Sequence, residues 1–185
     1  MPDTETIVTL ATNRGEIVLR FFPDSAPEHV KNFIAHSESG LYAGCTFHRV
    51  IPGFMIQGGD PNTKPDGKGV PGTGGYSYKG PGTQLAAEFN KRKHTRGILS
   101  MARSQNPNSA GSQFFIMHAD APFLDGQYSV FGEAIAGLEV VDAIVSSDRD
   151  GNDRPREDQR IESIRVEQWD AARVAALLAT RDKQG

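Results

Sequence analysis

Five histidines, His29, His36, His48, His94 and His118, are the side chains best suited to acid–base or metal chemistry near neutral pH. They are scattered along the chain. Neither HExxH nor GxSxG spacing occurs, so a zinc-protease helix and a hydrolase nucleophile elbow both lack their residues. The single cysteine, Cys45, rules out a disulfide framework and a Cys-based zinc site, and it reads as a small core hydrophobe. His48 reads as a packed structural residue with one hydrogen bond. Gly72-Thr73-Gly74-Gly75 has the glycine content of a phosphate cradle, but no Gly-Lys-Ser/Thr follows and no helix begins there. A tight turn that uses positive φ accounts for it better.

Three well-separated runs are more informative, because each sets large apolar side chains beside polar groups. The first is Phe47 to Asp60 (FHRVIPGFMIQGGD). The second joins Gly97 to Arg103 with Asn108 to Ile116 (NSAGSQFFI), and the third runs from Phe123-Leu124-Asp125-Gly126 through Tyr128 to Gly132. Taken singly, Phe54, Met55, Phe115 and Leu124 read as core residues. Arg49 reads as a surface or ion-paired residue, and Gln57 and Gln113 as groups that satisfy buried backbone. Taken together and in this order, the runs resemble the cyclophilin family of peptidyl-prolyl cis-trans isomerases, and the likeness extends from about residue 5 to 168.

The resemblance implies that Arg49 is the catalytic arginine, with Gln57 beside it. By the same resemblance, Phe54, Met55, Phe115 and Leu124 line a proline pocket, and Gln57 and Gln113 hydrogen-bond the substrate. Ala102 and Arg103 offer backbone contacts to an extended peptide, and Phe123 and Tyr128 complete the binding residues. Phe123 stands where the best-known eukaryotic members have Trp, Tyr128 where they have His, and Arg103 where Asn is common. All three look like the bacterial branch. Cyclosporin binding is expected to be weakened, since Phe cannot supply the indole N–H. The segment from Asn62 to Val70 looks longer than in compact members. The implied partners are proline-containing polypeptides, and no cofactor or metal is implied.

The chemistry is physically sound for such residues. Rotation about an X-Pro bond crosses a barrier of ~18–20 kcal/mol because amide resonance is broken, yet no covalent bond changes. An acceleration of at most about 10⁵, or ~7 kcal/mol, needs only positioning and electrostatics. A guanidinium aimed at the prolyl nitrogen gains strength only when the lone pair localises in the twisted state, which is selective transition-state stabilisation. A module that merely holds proline peptides is the rival reading. It has no need of a cation at that nitrogen.

These residues must be positioned by short elements, since 31 glycines and prolines lie between runs rich in Phe, Ile and Val. Thr6 to Ala11 and Glu16 to Phe22 flank Thr12-Asn13-Arg14-Gly15, which predicts a hairpin with Ile17, Leu19 and Phe21 on one buried face. Further strands are predicted at Thr46 to Val50, Phe54 to Gly58, Gly97 to Ala102, Gln113 to His118, Tyr128 to Ala134 and Ile161 to Glu167. A capping-box pattern at Ser25-Ala26-Pro27-Glu28 opens a helix that ends at Gly40, and a second helix is predicted from Leu138 to Ser146. Eight strands and two helices without β-α-β alternation predict a mainly β protein, an eight-stranded antiparallel barrel capped by two α-helices. Asn62 to Gly75 and Ser147 to Arg160 read as solvated excursions.

Residues 1–167 are read as the isomerase domain and 168–185 as an appended C-terminal helix and tail, with Trp169, Ala172, Ala176 and Leu177 on one apolar face. The chain of 185 residues suits one domain, which at this size needs no disulfides. Twenty basic against 23 acidic residues give a net charge of −3 without a basic run, which argues against nucleic acid as a partner. No apolar run approaches the ~18 residues of a membrane span, and the acidic N-terminus does not look like a signal peptide. A cytoplasmic monomer is expected.

Overall fold

The turn Asn13-Arg14 joins β1 (Thr4–Thr12) to β2 (Gly15–Phe21) as the alternation predicts, with Val8 opposite Leu19 and Leu10 opposite Ile17. In the computed structural model, which describes residues 3–184, six further strands follow. They are β3 (Arg49–Ile51), β4 (Met55–Gly58), β5 (Ile98–Met101), β6 (Phe114–Met117), β7 (Val130–Ala136) and β8 (Ile161–Asp170). Every pairing is antiparallel, in the order β3-β4-β6-β5-β7-β2-β1-β8. The β8 edge curls round to the segment that precedes β3. Phe47 N–H donates to the Gln159 carbonyl (2.8 Å) and Ile161 N–H to that of Cys45 (2.9 Å), so a barrel-like wall is completed along this seam.

Alternation decides what each face buries. Leu10, Ile17, Leu19, Val50, Ile56, Leu99, Phe114, Ile116 and Phe131 fill the interior, joined by Phe33 of α1 (Pro27–Ser39) and by Val141 and Ile144 of α2 (Leu138–Val145). Phe33 meets the rings of Tyr42, Phe114 and Phe131 at 4.8–5.6 Å, spacings at which aromatic pairs add to area burial. Gly40 ends α1 with φ +87°, a left-handed cap that a side chain would oppose. Cys45 is buried, which pushes its thiol up to about 11 and keeps it protonated, as expected of a core residue.

Several sequence expectations are corrected. Ser25 does not cap α1. Ala26 occupies that position, and the first-turn N–H groups of Glu28 and His29 donate instead to the Glu88 carboxylate (3.3 and 2.8 Å), brought from 60 residues away. The Thr46 to Val50 strand begins only at Arg49, Thr46 making a single bridge to Arg160. The hairpin has two covered faces, because β8 runs on through Gln168 and Trp169 to Asp170 before α3 (Ala171–Gln184) begins. Trp169 is therefore a strand residue. It joins Val174 of α3 in covering Ile7, Val18 and Ile135 on the outside of the barrel, with Leu177 and Leu178 beside them. Nor are the two loops simple excursions. Buried Gln159 and Val50 N–H, which donates to the Asp153 carbonyl, tie the acidic–basic loop to the seam.

Candidate active site

Strand register assembles the site. Arg49 on β3 lies opposite Gln57 on β4, Gln57 opposite Phe115 on β6, and Phe115 opposite Ser100 on β5. These four residues form one row across the outer face of the sheet, since directly paired residues share a face. The adjacent row of Ile51, Met55 and Met117 supplies apolar support. A cavity of about 130 Å³ opens on the row, lined by Arg49, Phe54, Met55, Gln57, Ala102, Arg103, Phe115, Leu124 and Tyr128. That is the scale of cavities that admit one small ring. Met55, Phe115 and Leu124 are its buried floor, whereas Arg49 is exposed at its mouth.

The polar edge is a chain of hydrogen bonds. Arg49 Nη1 approaches Gln57 Oε1 at 3.5 Å, Gln57 Nε2 donates to Gln113 Oε1 (3.0 Å), and Gln113 Nε2 donates to the carbonyls of Gly72 (3.0 Å) and Gly74 (2.8 Å). Gly72 and Gly75 take positive φ, which bears out the turn reading and not the phosphate one. Their loop is pinned by the buried Asp60 carboxylate, which accepts from the N–H groups of Asn62, Gly72 and Gly74. The Asn62 to Gly75 segment thus forms a wall of the site, contrary to its reading as an excursion.

Phe115 is held from behind by a group that spacing could not reveal. His94 stacks on its ring at 6.0 Å, and Tyr128 meets it edge-on at 5.7 Å. His94 Nε2 lies 2.9 Å from Ser100 Oγ, and its Nδ1 lies 3.1 Å from Asp125 Oδ1. Serine, histidine and aspartate so arranged mimic a hydrolytic triad. Ser100 is fully buried, however, so no substrate carbonyl can reach its hydroxyl. The trio fixes the pocket wall. Burial lowers the His94 pKa, partly offset by Asp125, whose own carboxyl is held down chiefly by the His94 backbone N–H.

All the expected residues converge, at different depths. Gln113 lines a neighbouring cavity of about 250 Å³ together with Gly72 to Gly75, Ser104 and Ser109; Gln57, Ala102 and Arg103 border both cavities. The Ala102 N–H donates to the Gln113 carbonyl (3.1 Å). Phe123 stands at the rim on a 3₁₀ turn, 72% exposed, with its ring 5.7 Å from that of Phe54. His48 is buried beside this wall, and its Nδ1 finds no partner among the described residues.

An exposed guanidinium stands beside a ring-sized cavity with an apolar floor, on the outer face of an eight-stranded antiparallel barrel. The chain belongs to the cyclophilin-type peptidyl-prolyl cis-trans isomerase family, whose model matches residues 7–166. It is 48% identical over 146 residues to a probable peptidyl-prolyl cis-trans isomerase of Brucella abortus, covering 77% of this chain and 72% of that one. It is 44% identical over 173 residues to peptidyl-prolyl cis-trans isomerase B of Escherichia coli, covering 86% and 99%. A crystal structure of a Cryptosporidium parvum cyclophilin-type isomerase superposes with a TM-score of 0.79 at 36% identity, over 89% of this chain and 98% of that one. A second structure of that protein, in the presence of the dipeptide Ala-Pro, gives 0.79 at 37% identity over 87% and 98%. The activity is that of the family, isomerisation of peptidyl-prolyl bonds.

Proposed function

We propose that Arg49 is the catalytic residue of this isomerase and acts on X-Pro bonds in extended or unfolded protein segments, assisting their folding. The observation that carries this reading is the Arg49 guanidinium at the mouth of a cavity floored by Met55, Phe115 and Leu124. A proline ring seated there is dehydrated and held while the preceding carbonyl rotates. As the amide twists, the lone pair localises on the prolyl nitrogen, and the guanidinium then donates to an acceptor that the planar ground state lacks. Gln57 orients that guanidinium and, with Gln113, offers hydrogen bonds to the peptide. Ala102 and Arg103 supply backbone along the groove, while Phe54, Tyr128 and Phe123 frame its rim. A relative solved in the presence of Ala-Pro supports proline as the ring concerned.

A cytoplasmic, monomeric protein belongs to the same proposal. It is supported by a buried free cysteine and by the few large apolar side chains left exposed, Val70, Phe89 and Phe123 among the described residues. Cyclosporin is proposed to bind weakly, supported by a rim ring without an N–H at Phe123. The test is magnetisation exchange between cis and trans signals of an Ala-Pro peptide. Catalytic amounts of the protein should bring the exchange from tens of seconds into the millisecond-to-second range. Binding of the peptide without faster exchange would leave only a proline-holding module.

A further inference from the structure

We propose that Arg103 makes this enzyme select substrates with an acidic side chain, Asp or Glu, within two residues of the proline. The proposal rests on the isomerase reading above and adds to it a substrate class.

Arg103 is held in place before any peptide arrives. Its Nε and Nη2 both donate to the Gln127 carbonyl (3.2 and 2.6 Å), Nη1 donates to the carbonyls of Ser104 (2.9 Å) and Gln105 (3.4 Å), and the guanidinium lies 4.5 Å over the Tyr128 ring. These partners are neutral. They fix the group without cancelling its charge, and among the described residues no carboxylate oxygen lies within 4.0 Å of it. Four arginines elsewhere on the barrel surface behave differently: Arg20, Arg96, Arg165 and Arg181 each grip a carboxylate.

Its position is as telling as its charge. Arg103 borders both the ring-sized cavity and the adjoining one of about 250 Å³. The second cavity is walled by Thr73, Gln84, Ser104, Ser109 and Gln113, hydroxyls and amides able to solvate a carboxylate, and neither cavity is lined by Asp or Glu. With Arg49 at the mouth, the groove carries two cations in a protein whose net charge is −3. Successive residues of an extended peptide are about 3.5 Å apart, so a side chain one or two positions from a seated proline falls within reach of the second cavity. A preorganised guanidinium loses little freedom on meeting a carboxylate, and an added anion meets no like charge in the lining. A lysine at the same peptide position meets a fixed positive charge.

The test compares kcat/KM, by exchange spectroscopy, for short Ala-Pro peptides that carry Glu, Gln or Lys in turn at each of the two positions before and after the proline. At one position Glu should exceed Gln by about fivefold at low salt, and Lys should fall below Gln. The Glu-to-Gln ratio should approach one in 0.5 M salt and in Arg103→Gln, whatever the absolute rate of that variant. In the wild-type enzyme, the Arg103 Nε–H resonance should move with the Glu peptide and not with the Gln peptide, a result that needs no variant. Equal rates for Glu and Gln at every position overturn the proposal, as does a preference that survives in Arg103→Gln, which would assign it to Arg49. Failure to accelerate any peptide, neutral ones included, would instead overturn the isomerase reading and this inference with it.

Discussion

In the proposed mechanism Arg49, at the mouth of the cavity, acts only as the amide twists, so its removal should lower the rate far more than it disturbs the fold. Arg49→Ala is expected to reduce kcat/KM by about 10²–10³, comparable to deleting one preorganised donor, with the melting temperature almost unchanged because the side chain is exposed. Near-normal exchange rates in the folded variant would remove the electrostatic mechanism. Phe123 supports a different expectation. Its ring stands 72% exposed beside Phe54 and has no hydrogen to donate. Phe123→Trp should tighten cyclosporin inhibition by roughly 1 kcal/mol through one hydrogen bond and added contact area. Superimposable inhibition curves would refute it.

Among the elements, α1 shows how a helix end can depend on distant chain. Glu88 Oε2 accepts from the Glu28 amide and Oε1 from the His29 amide, and the His29 ring Nδ1 lies 2.5 Å from Oε1. Glu88→Ala strips the first turn of its acceptor and is expected to destabilise the protein by about 1–2 kcal/mol, lowering the melting temperature by several degrees. Exchange rates at the Arg49 site should be unchanged in that variant at temperatures where it is folded. Thermal melts of the two proteins decide it, and coincident curves would mean that water caps the helix equally well. The C-terminal helix is the other element with a definite expectation. Val174 is 3% exposed against Ile7, Val18, Ile135 and Trp169, so deleting residues 171–185 should lower the melting temperature by several degrees while leaving kcat/KM intact. Unchanged melting with a shifted size-exclusion mass would show that α3 serves contacts between chains.

The molecule as a whole carries a pH dependence set by its buried histidines. Burial is the largest influence on His29, His36, His48 and His94 and lowers the pKa of each below 6.5 in the folded state. Unfolded, they titrate near 6.5, so just below that pH the unfolded chain binds more protons and stability rises with pH. The melting temperature should therefore fall as the pH is lowered from 7.5 to 5, before carboxylates begin to protonate. A melting temperature that is flat, or that rises, over that interval would contradict the burial of these four rings.

Local pattern determined much of this protein. Alternating Ile17, Leu19 and Phe21 specified a strand with a core face, Gly40 stopped α1, and the runs from Phe47 to Asp60 and Asn108 to Ile116 carried the family resemblance. The boundaries that moved are those where tertiary contact outweighs local preference. Trp169 satisfies a helical stripe as readily as a strand, and pairing with Glu5 on β1 made it a strand. Ser25 had the chemistry of a cap, but Glu88 reached the helix end instead. The setting of Phe115 by His94, Ser100 and Asp125 had no readable spacing, because it comes from a sheet register that pairs Ser100 with Phe115 and a turn that brings Asp125 back to His94, 31 residues before it. Residue types and their alternation are local properties of the chain. Which residues stand opposite one another across β3, β4, β6 and β5, and so whether Arg49 meets a ring-sized cavity, is decided by long-range pairing that only the folded sheet contains.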